Sequence, residues 1–302
     1  MSTLDTLSRH TLIISHLRKA PATFEEISRM LERESNLKGY NLNISIRTFQ
    51  RDCRDISSLY NIDIHYQQNI KAYCINFDDN PDISARMLEA FDTLNALKLG
   101  STLTDFIQFD TRKPKGTEHL YELIKTIRAT QVITFLYESF SRPGRFIVEI
   151  EPYALKEFKG RWYLIGRETK TNNIKTYGLD RIEEITITPL KFKYPRDFNL
   201  KEYFKHSFGI FITQDANPQE VLLSFDTQTA KYILTMPLHP SQEVVHETET
   251  ELVVSLKLLI TPDLLFEILS YGDSVKVLKP QSLIEQVKNS LKKSISKYND
   301  ID

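Results

Sequence analysis

The chain has 302 residues, of which 41% are hydrophobic and 26% charged, and a net charge of −1. This is ordinary globular composition, which excludes a disordered or collagen-like chain, and near-neutrality gives no overall attraction to nucleic acid. The length predicts two or three domains with their own cores.

Apolar runs fall short of the ~18 residues of a membrane span, so no membrane partner is expected. The opening MSTLDTLSRHTLIISHL carries Asp5 and no apolar block ending in small residues, so a secretory signal is not expected either. Cys53 and Cys74 fit no zinc spacing and read as small core residues in a reducing, cytoplasmic setting.

Leu4, Leu7, His10, Ile14 and Leu17 keep helical spacing, and Pro21 ends that helix near residue 19. Thr23-Phe24-Glu25-Glu26 is a capping-box pattern opening a second helix. Ser45 suits the N-cap of a third, ISIRTFQRDCRDISSLY. There Ile46, Phe49, Cys53, Ile56 and Tyr60 form one apolar face. The opposite face presents Arg47, Thr48, Gln50, Arg51 and Arg54, suited to phosphates and purine edges, with Asp52 and Asp55 expected among them as partners of neighbouring arginines. The bland alternative is a solvated helix face in a small bundle. Two alternating stretches, 62–66 and 72–77, flank a turn at Gln67-Gln68-Asn69. Three helices and a hairpin predict a winged helix-turn-helix over residues 1–78, whose third helix enters the major groove of duplex DNA.

Ile44-Ser45-Ile46-Arg47-Thr48-Phe49-Gln50-Arg51-Asp52 resembles the recognition helix of DeoR-like winged-helix regulators. The resemblance implies DNA contact by Ser45, Arg47, Thr48, Gln50, Arg51 and Arg54. Residues 32–43 make the link into this helix longer than a tight helix-turn-helix turn.

Residues 79–129 read as a helical linker. Ile83, Met87, Leu88, Phe91, Leu94 and Leu97 form an apolar stripe that packs either in its own chain or against a second subunit in a homodimer. Lys113-Pro114-Lys115-Gly116 reads as a loop and 117–129 as a further helix.

Five short strands follow in residues 130–195: QVITFLY, RFIVEIEPY, RWYLIGRE, IKTYGLD and RIEEITIT. They suggest a small barrel or sandwich. Trp162 reads as a core plug, and Tyr163, on the other strand face, as an exposed stacking platform. Lys156, Arg161, Arg167, Lys175 and Arg181 are placed to supply cations around it, the chemistry that holds a nucleobase or nucleotide. Pro152-Tyr153-Ala154-Leu155-Lys156, Trp162-Tyr163-Leu164 and Asp180-Arg181-Ile182, with Tyr137 ahead of them, resemble the WYL-domain family. That resemblance implies an SH3/Sm-like β-barrel behind the winged helix-turn-helix, sensing a nucleotide or single-stranded nucleic acid. Lys175 stands where the family often has arginine, and Val148 where many members carry a basic residue.

Residues 196–302 open with a connector, 196–212, and then alternate strands and helices, predicting an α+β layer. This part resembles the extension that follows WYL domains, which implies a role in dimer assembly or effector closure. His239 and His246 read as surface histidines.

The fold class expected is therefore multi-domain α+β. No G-x-S-x-G elbow, glycine-rich phosphate loop or H-E-x-x-H occurs, so no catalytic residue, cofactor or metal site is assigned. The function expected is a ligand-responsive transcription regulator. The alternatives are an RNA or single-strand binder using the barrel, and, behind it, an enzyme without a recognisable motif.

Overall fold

The computed structural model describes residues 3–38, 41–76, 86–94, 115–140, 143–213 and 216–299. The chain divides into two compact units, Met1–Thr111 and Arg112–Asp302.

The first unit begins with α1 (Thr3–Leu17), α2 (Phe24–Lys38) and α3 (Ile46–Tyr60). The capping box forms as the sequence predicts: the Thr23 N–H donates to the Glu26 carboxylate at 2.8 Å, and the Glu26 N–H donates to Thr23 Oγ1 at 3.3 Å. Ser45 caps α3 by accepting from the Thr48 N–H at 3.2 Å, and Asn61, in the left-handed region, ends it. An antiparallel hairpin, β1 (Ile64–Gln67) and β2 (Ala72–Ile75), follows. Ala22 and Tyr73 exchange backbone hydrogen bonds of 3.0 and 2.8 Å, which ties the hairpin to the start of α2.

One core, including Ile13, Ile27, Leu31, Phe49 and Ile56, holds these elements together. Helical residues 86–94 (α4) add Leu88 and Phe91 to it, and Phe91 meets Tyr60 edge-on at 5.0 Å. Packing within its own chain therefore accounts for part of the linker stripe, while Met87 and Leu94 stay exposed. Ile83, Leu97 and the Lys113-Pro114 part of the expected loop lie outside the described residues.

In the second unit a 3-10 turn (Thr117–His119) leads into α5 (Leu120–Arg128), which packs on β3 (Gln131–Glu138) and β4 (Arg145–Phe158). With β5 (Arg161–Glu168), β6 (Ile174–Gly178) and β7 (Ile182–Lys191) they form an antiparallel sheet in the order β6-β5-β4-β3-β7. Alternation puts Ile133, Phe135 and Tyr137 on the core side with Val148, Ile150 and Leu164. The barrel expected for residues 130–195 is not closed: among the described residues β6 and β7 are the two open edges. The five-residue β6 pairs only with β5 and breaks into a 3-10 turn, Leu179–Arg181, and β7 continues from that turn to pair with β3 instead.

The connector contains a short helix that sequence spacing did not reveal, α6 (Leu200–Phe204), capped by Asn199. Beyond it lies a second antiparallel sheet in the order β11-β8-β10-β9. Its strands are β8 (Gln219–Asp226), β9 (Glu243–Glu247), β10 (Glu251–Leu258) and β11 (Val275–Lys279). Helices α7 (Thr227–Thr235), α8 (Pro262–Ser270) and α9 (Gln281–Asn299) bury Ala230, Ile233, Leu264, Ile268 and Leu283 in one core with this sheet. The α+β layer expected for this segment is what the strands and helices form.

Candidate nucleic-acid and ligand sites

α3 is held by its apolar face. Phe49 and Ile56 are buried, and the Phe49 ring lies 5.6 Å from Phe24 and 4.7 Å from Tyr73. The 3.6-residue period then turns Arg47, Gln50, Arg51 and Arg54 outward, and all four are exposed. None of them makes an ion pair or side-chain hydrogen bond among the described residues. Ser45 and Thr48 are otherwise engaged: their hydroxyls bond each other at 3.1 Å while Ser45 caps the helix.

Asp52 corrects the sequence reading. It does not sit among the arginines of the outer face but is fully buried, where Arg9 of α1 donates to it from Nε at 2.5 Å and from Nη2 at 2.9 Å. Position 52 lies between 49 and 56 on the inner face, and a carboxylate can stay there only with a partner as well placed as this fork. Burial raises the Asp52 carboxyl, but the Arg9 hydrogen bonds and the nearby Arg9 and His10 side chains outweigh it and hold it below the ordinary aspartate value. His10 Nε2 is 3.6 Å from Asp52 Oδ1, and neither ring nitrogen has a hydrogen-bond partner. His10, Asp52 and Asp55 together have the composition of a metal cluster. With the Arg9 fork already on both Asp52 oxygens, the charge a metal would neutralise is already neutralised.

The hairpin tip presents Tyr66, Ile70 and Lys71, all exposed. This is the second projecting element of the first unit.

In the second unit the most informative residue is Arg181. Its guanidinium carbon stands 4.7 Å from the Phe140 ring centroid and 5.3 Å from that of Tyr137. Its Nε is buried without a hydrogen-bond partner, as is Asp180 Oδ1, 3.6 Å away. Beside it opens a cavity of about 980 Å³ whose walls include Tyr137, Lys175 and Tyr177 of the five-stranded sheet, and Phe140 and Arg181 of the segments that follow β3 and β6. Tyr203, Ile210, Phe211 and Ile212 of the connector form another wall. Lys170 lines it too, exposed and without an ion pair among the described residues. Lys175 is less free, because it pairs with Glu168. Burial raises the Glu168 carboxyl, and hydrogen bonds from Lys175 and Thr171 more than offset this and lower it.

Of the six residues the sequence suggested for this site, only Lys175 and Arg181 line the cavity. Tyr163 is 7% exposed and is no stacking platform, because both faces of β5 are covered at this point. Trp162 is half-buried against the sheet core. Arg161 binds Asp180 at 2.6 Å, Arg167 binds Glu151 at 2.7 Å, and Lys156 lies 4.7 Å over the Phe204 ring. Burial lowers the Lys156 ammonium. Of the aromatic walls, Tyr137 and Tyr177 belong to the strand motifs, whereas Phe140 and Tyr203 lie outside them and join the site only through the folded structure.

The connector wall is fastened from behind. Asp263, in the first turn of α8, accepts from the Ile210 N–H at 2.7 Å and the Phe211 N–H at 3.1 Å. Gly209 packs so closely on that carboxylate that a Cβ there would lie 2.3 Å from Asp263 Oδ2.

Residues 118–187 match the model of the WYL domain, and residues 217–295 that of the WCX domain. The chain carries a WYL domain followed by a WCX domain. The cavity therefore sits on the WYL domain and is walled on one side by the segment joining it to the WCX domain. Among solved structures the chain is similar to proteasome accessory factor B/C (PafBC) of Arthrobacter aurescens. Identity is 18% and the TM-score 0.38, over 94% of this chain and 46% of that one, so the chain spans about half the length of that relative. It is also similar to a CRISPR Cas-related protein, at 12% identity and TM-score 0.40, over 88% of this chain and 77% of that one. No curated protein matches. No helix among the described residues is long and apolar enough to cross a membrane.

Proposed function

We propose that this WYL- and WCX-domain protein is a DNA-binding transcription regulator of the cytoplasm, that it acts as a homodimer, and that a ligand in the WYL cavity modulates it. In this reading α1 to α3 and the β1–β2 hairpin are a DeoR-like winged helix-turn-helix. α3 lies in the major groove, and Tyr66, Ile70 and Lys71 approach the backbone or the minor groove. The observation that carries it is the division of charge on α3: three arginines and a glutamine stand free outside, and Asp52, one of the two acids expected to neutralise them, is locked inside by Arg9. Arg forks suit guanine and phosphate, and Gln suits adenine.

The ligand reading rests on Arg181. A largely buried guanidinium beside two aromatic rings, with an unsatisfied Nε, suits an acceptor-rich planar or anionic molecule such as a nucleotide or the end of a single strand.

A duplex gel shift over a salt series tests the DNA reading. Binding should weaken steeply as salt rises, because phosphate contacts release counterions. Arg51→Ala should cost about 1–3 kcal/mol if that residue reads a base. A folded Arg47→Ala/Arg51→Ala/Arg54→Ala variant that keeps wild-type duplex affinity removes the reading. Tighter binding to single strands than to duplex, surviving in that variant, would favour the single-strand alternative.

A further inference from the structure

One residue of α3 departs from the face that periodicity assigns to it. Spacing groups Ile46 with Phe49, Cys53, Ile56 and Tyr60, yet Ile46 is 43% exposed. It takes no part in the core of the first unit, which Phe49 and Ile56 fill and against which Cys53 and Tyr60 pack. Helix geometry accounts for this. At ~100° per residue, Ile46 lies ~60° from Phe49 but only ~40° from Gln50, one turn on. Phe49 takes the inner place, against the rings of Phe24 and Tyr73, and Ile46 in the first turn is left at the border of the outer face. Along that border Ile46, Gln50 and Arg54 follow one another, each a turn apart and all exposed, with Arg47 and Arg51 beside them.

Folding does not call for isoleucine at this position. It is outside the core cluster, and alanine would propagate the helix better. Single exposed apolar residues are common, so exposure alone assigns nothing; the place of Ile46 does. Its neighbours carry guanidinium and amide groups suited to phosphates and purine edges. Ile46 has nothing to offer either. The floor of the major groove does present one apolar group, the C5-methyl of thymine, and the first turn of a helix lying there is the part that reaches base edges. Gln50, the next exposed residue on the same border, suits adenine, whose pairing partner is thymine.

We infer that Ile46 is a specificity-determining residue of α3, and that it covers the C5-methyl of a thymine in the DNA target, beside the adenine that Gln50 reads. Contact between the two hydrocarbon groups removes both from water. A cytosine at that place lacks the methyl and turns its N4 amino group toward hydrocarbon, where the hydrogen bond to water is lost. The first turn of α3 therefore selects an A·T pair, and the arginines favour guanine or phosphate around it. This inference rests on the DNA reading of α3 proposed above and adds the base pair that the start of the helix selects.

Duplexes that the full wild-type chain retains from a random library supply the probe. One of them is synthesised twice, with thymine and with uracil, which pairs alike but lacks the C5-methyl. Wild type should bind the uracil duplex about fourfold more weakly for each methyl that Ile46 covers, the effect of one buried methyl group. Ile46→Ala should keep the wild-type urea midpoint, bind the thymine duplex about fourfold more weakly per methyl, and no longer distinguish the two duplexes. Leu59→Ala removes the other exposed apolar side chain of α3, at its far end, and should retain the wild-type preference for thymine. Equal wild-type affinity for the two duplexes, a thymine preference that survives in Ile46→Ala, or retained duplexes that share no A·T pair would each overturn the inference. In those cases the DNA reading itself still stands if Arg47→Ala/Arg51→Ala/Arg54→Ala loses duplex binding. Failure of the wild type to retain any duplex overturns both.

Discussion

Replacing Asp52 with Asn tests the claim that the Arg9 fork both sets the inside of α3 and clears its outside. Asn keeps the shape but removes the charge, leaving a guanidinium buried beside a neutral group. Two hydrogen bonds to a charged partner are lost or weakened, each worth about 1.5–3 kcal/mol. Breaking a buried ion pair from one side costs about 3–5 kcal/mol. Arg9 makes a further interaction, which moves the expectation toward the lower end, about 3 kcal/mol. Urea denaturation of the wild type and the variant, followed by circular dichroism, measures the difference as a change in midpoint at constant slope. The pH dependence has a definite sign. The folded Asp52 carboxyl is lowered below 3.8, so its contribution is present at and above that value and fades as pH falls through the lower folded one. The gap between wild type and variant should therefore be constant from pH 8 to 5 and narrow below pH 4. A loss under 1 kcal/mol at pH 7, or a gap that widens in acid, refutes the reasoning.

Arg181 can be disturbed without removing its charge. A Cβ at position 178 would lie 2.6 Å from Arg181 Nη2 and 2.5 Å from Asp180 Oδ1, so Gly178→Ala should push the guanidinium from its place beside Tyr137 and Phe140. In a thermal-shift screen against nucleotides, any stabilisation of the wild type should vanish in Gly178→Ala as it does in Arg181→Ala. Stabilisation that persists in both variants locates the ligand elsewhere. Asp263→Ala removes the acceptor of two backbone N–H groups and should cost about 2–4 kcal/mol in denaturant unfolding. The same variant should weaken ligand binding in the cavity, because Ile210 and Phe211 form its connector wall. Unchanged affinity would show that this wall does not touch the ligand.

Much of this molecule was legible in its order of residues, because the signals involved are local. The Thr23–Glu26 capping box and the Ser45–Thr48 cap each join residues only three positions apart, and both form as read. The helical period of α3 separates Phe49 and Ile56 from Arg47 and Arg51 whatever lies around it, and the structure keeps that division. The strands of the WYL and WCX domains announce themselves by alternation and by the turns between them, with errors of a few residues at their ends.

What the sequence could not settle was everything that depends on a partner distant along the chain. Asp52 reads as an outer-face acid until Arg9, 43 positions earlier, is known to reach it. Tyr163 reads as an exposed ring because alternation predicts which side of a strand a residue takes but not whether another element covers that side. Phe140, Tyr203 and Ile210 carry no motif, and they become a cavity wall only when the connector folds back across β6 and Asp263 pins it there. Local patterning fixes backbone conformation and facing through short-range sterics and hydrogen bonds. Burial, pairing and pocket walls are set by long-range packing, and only the assembled structure specifies them.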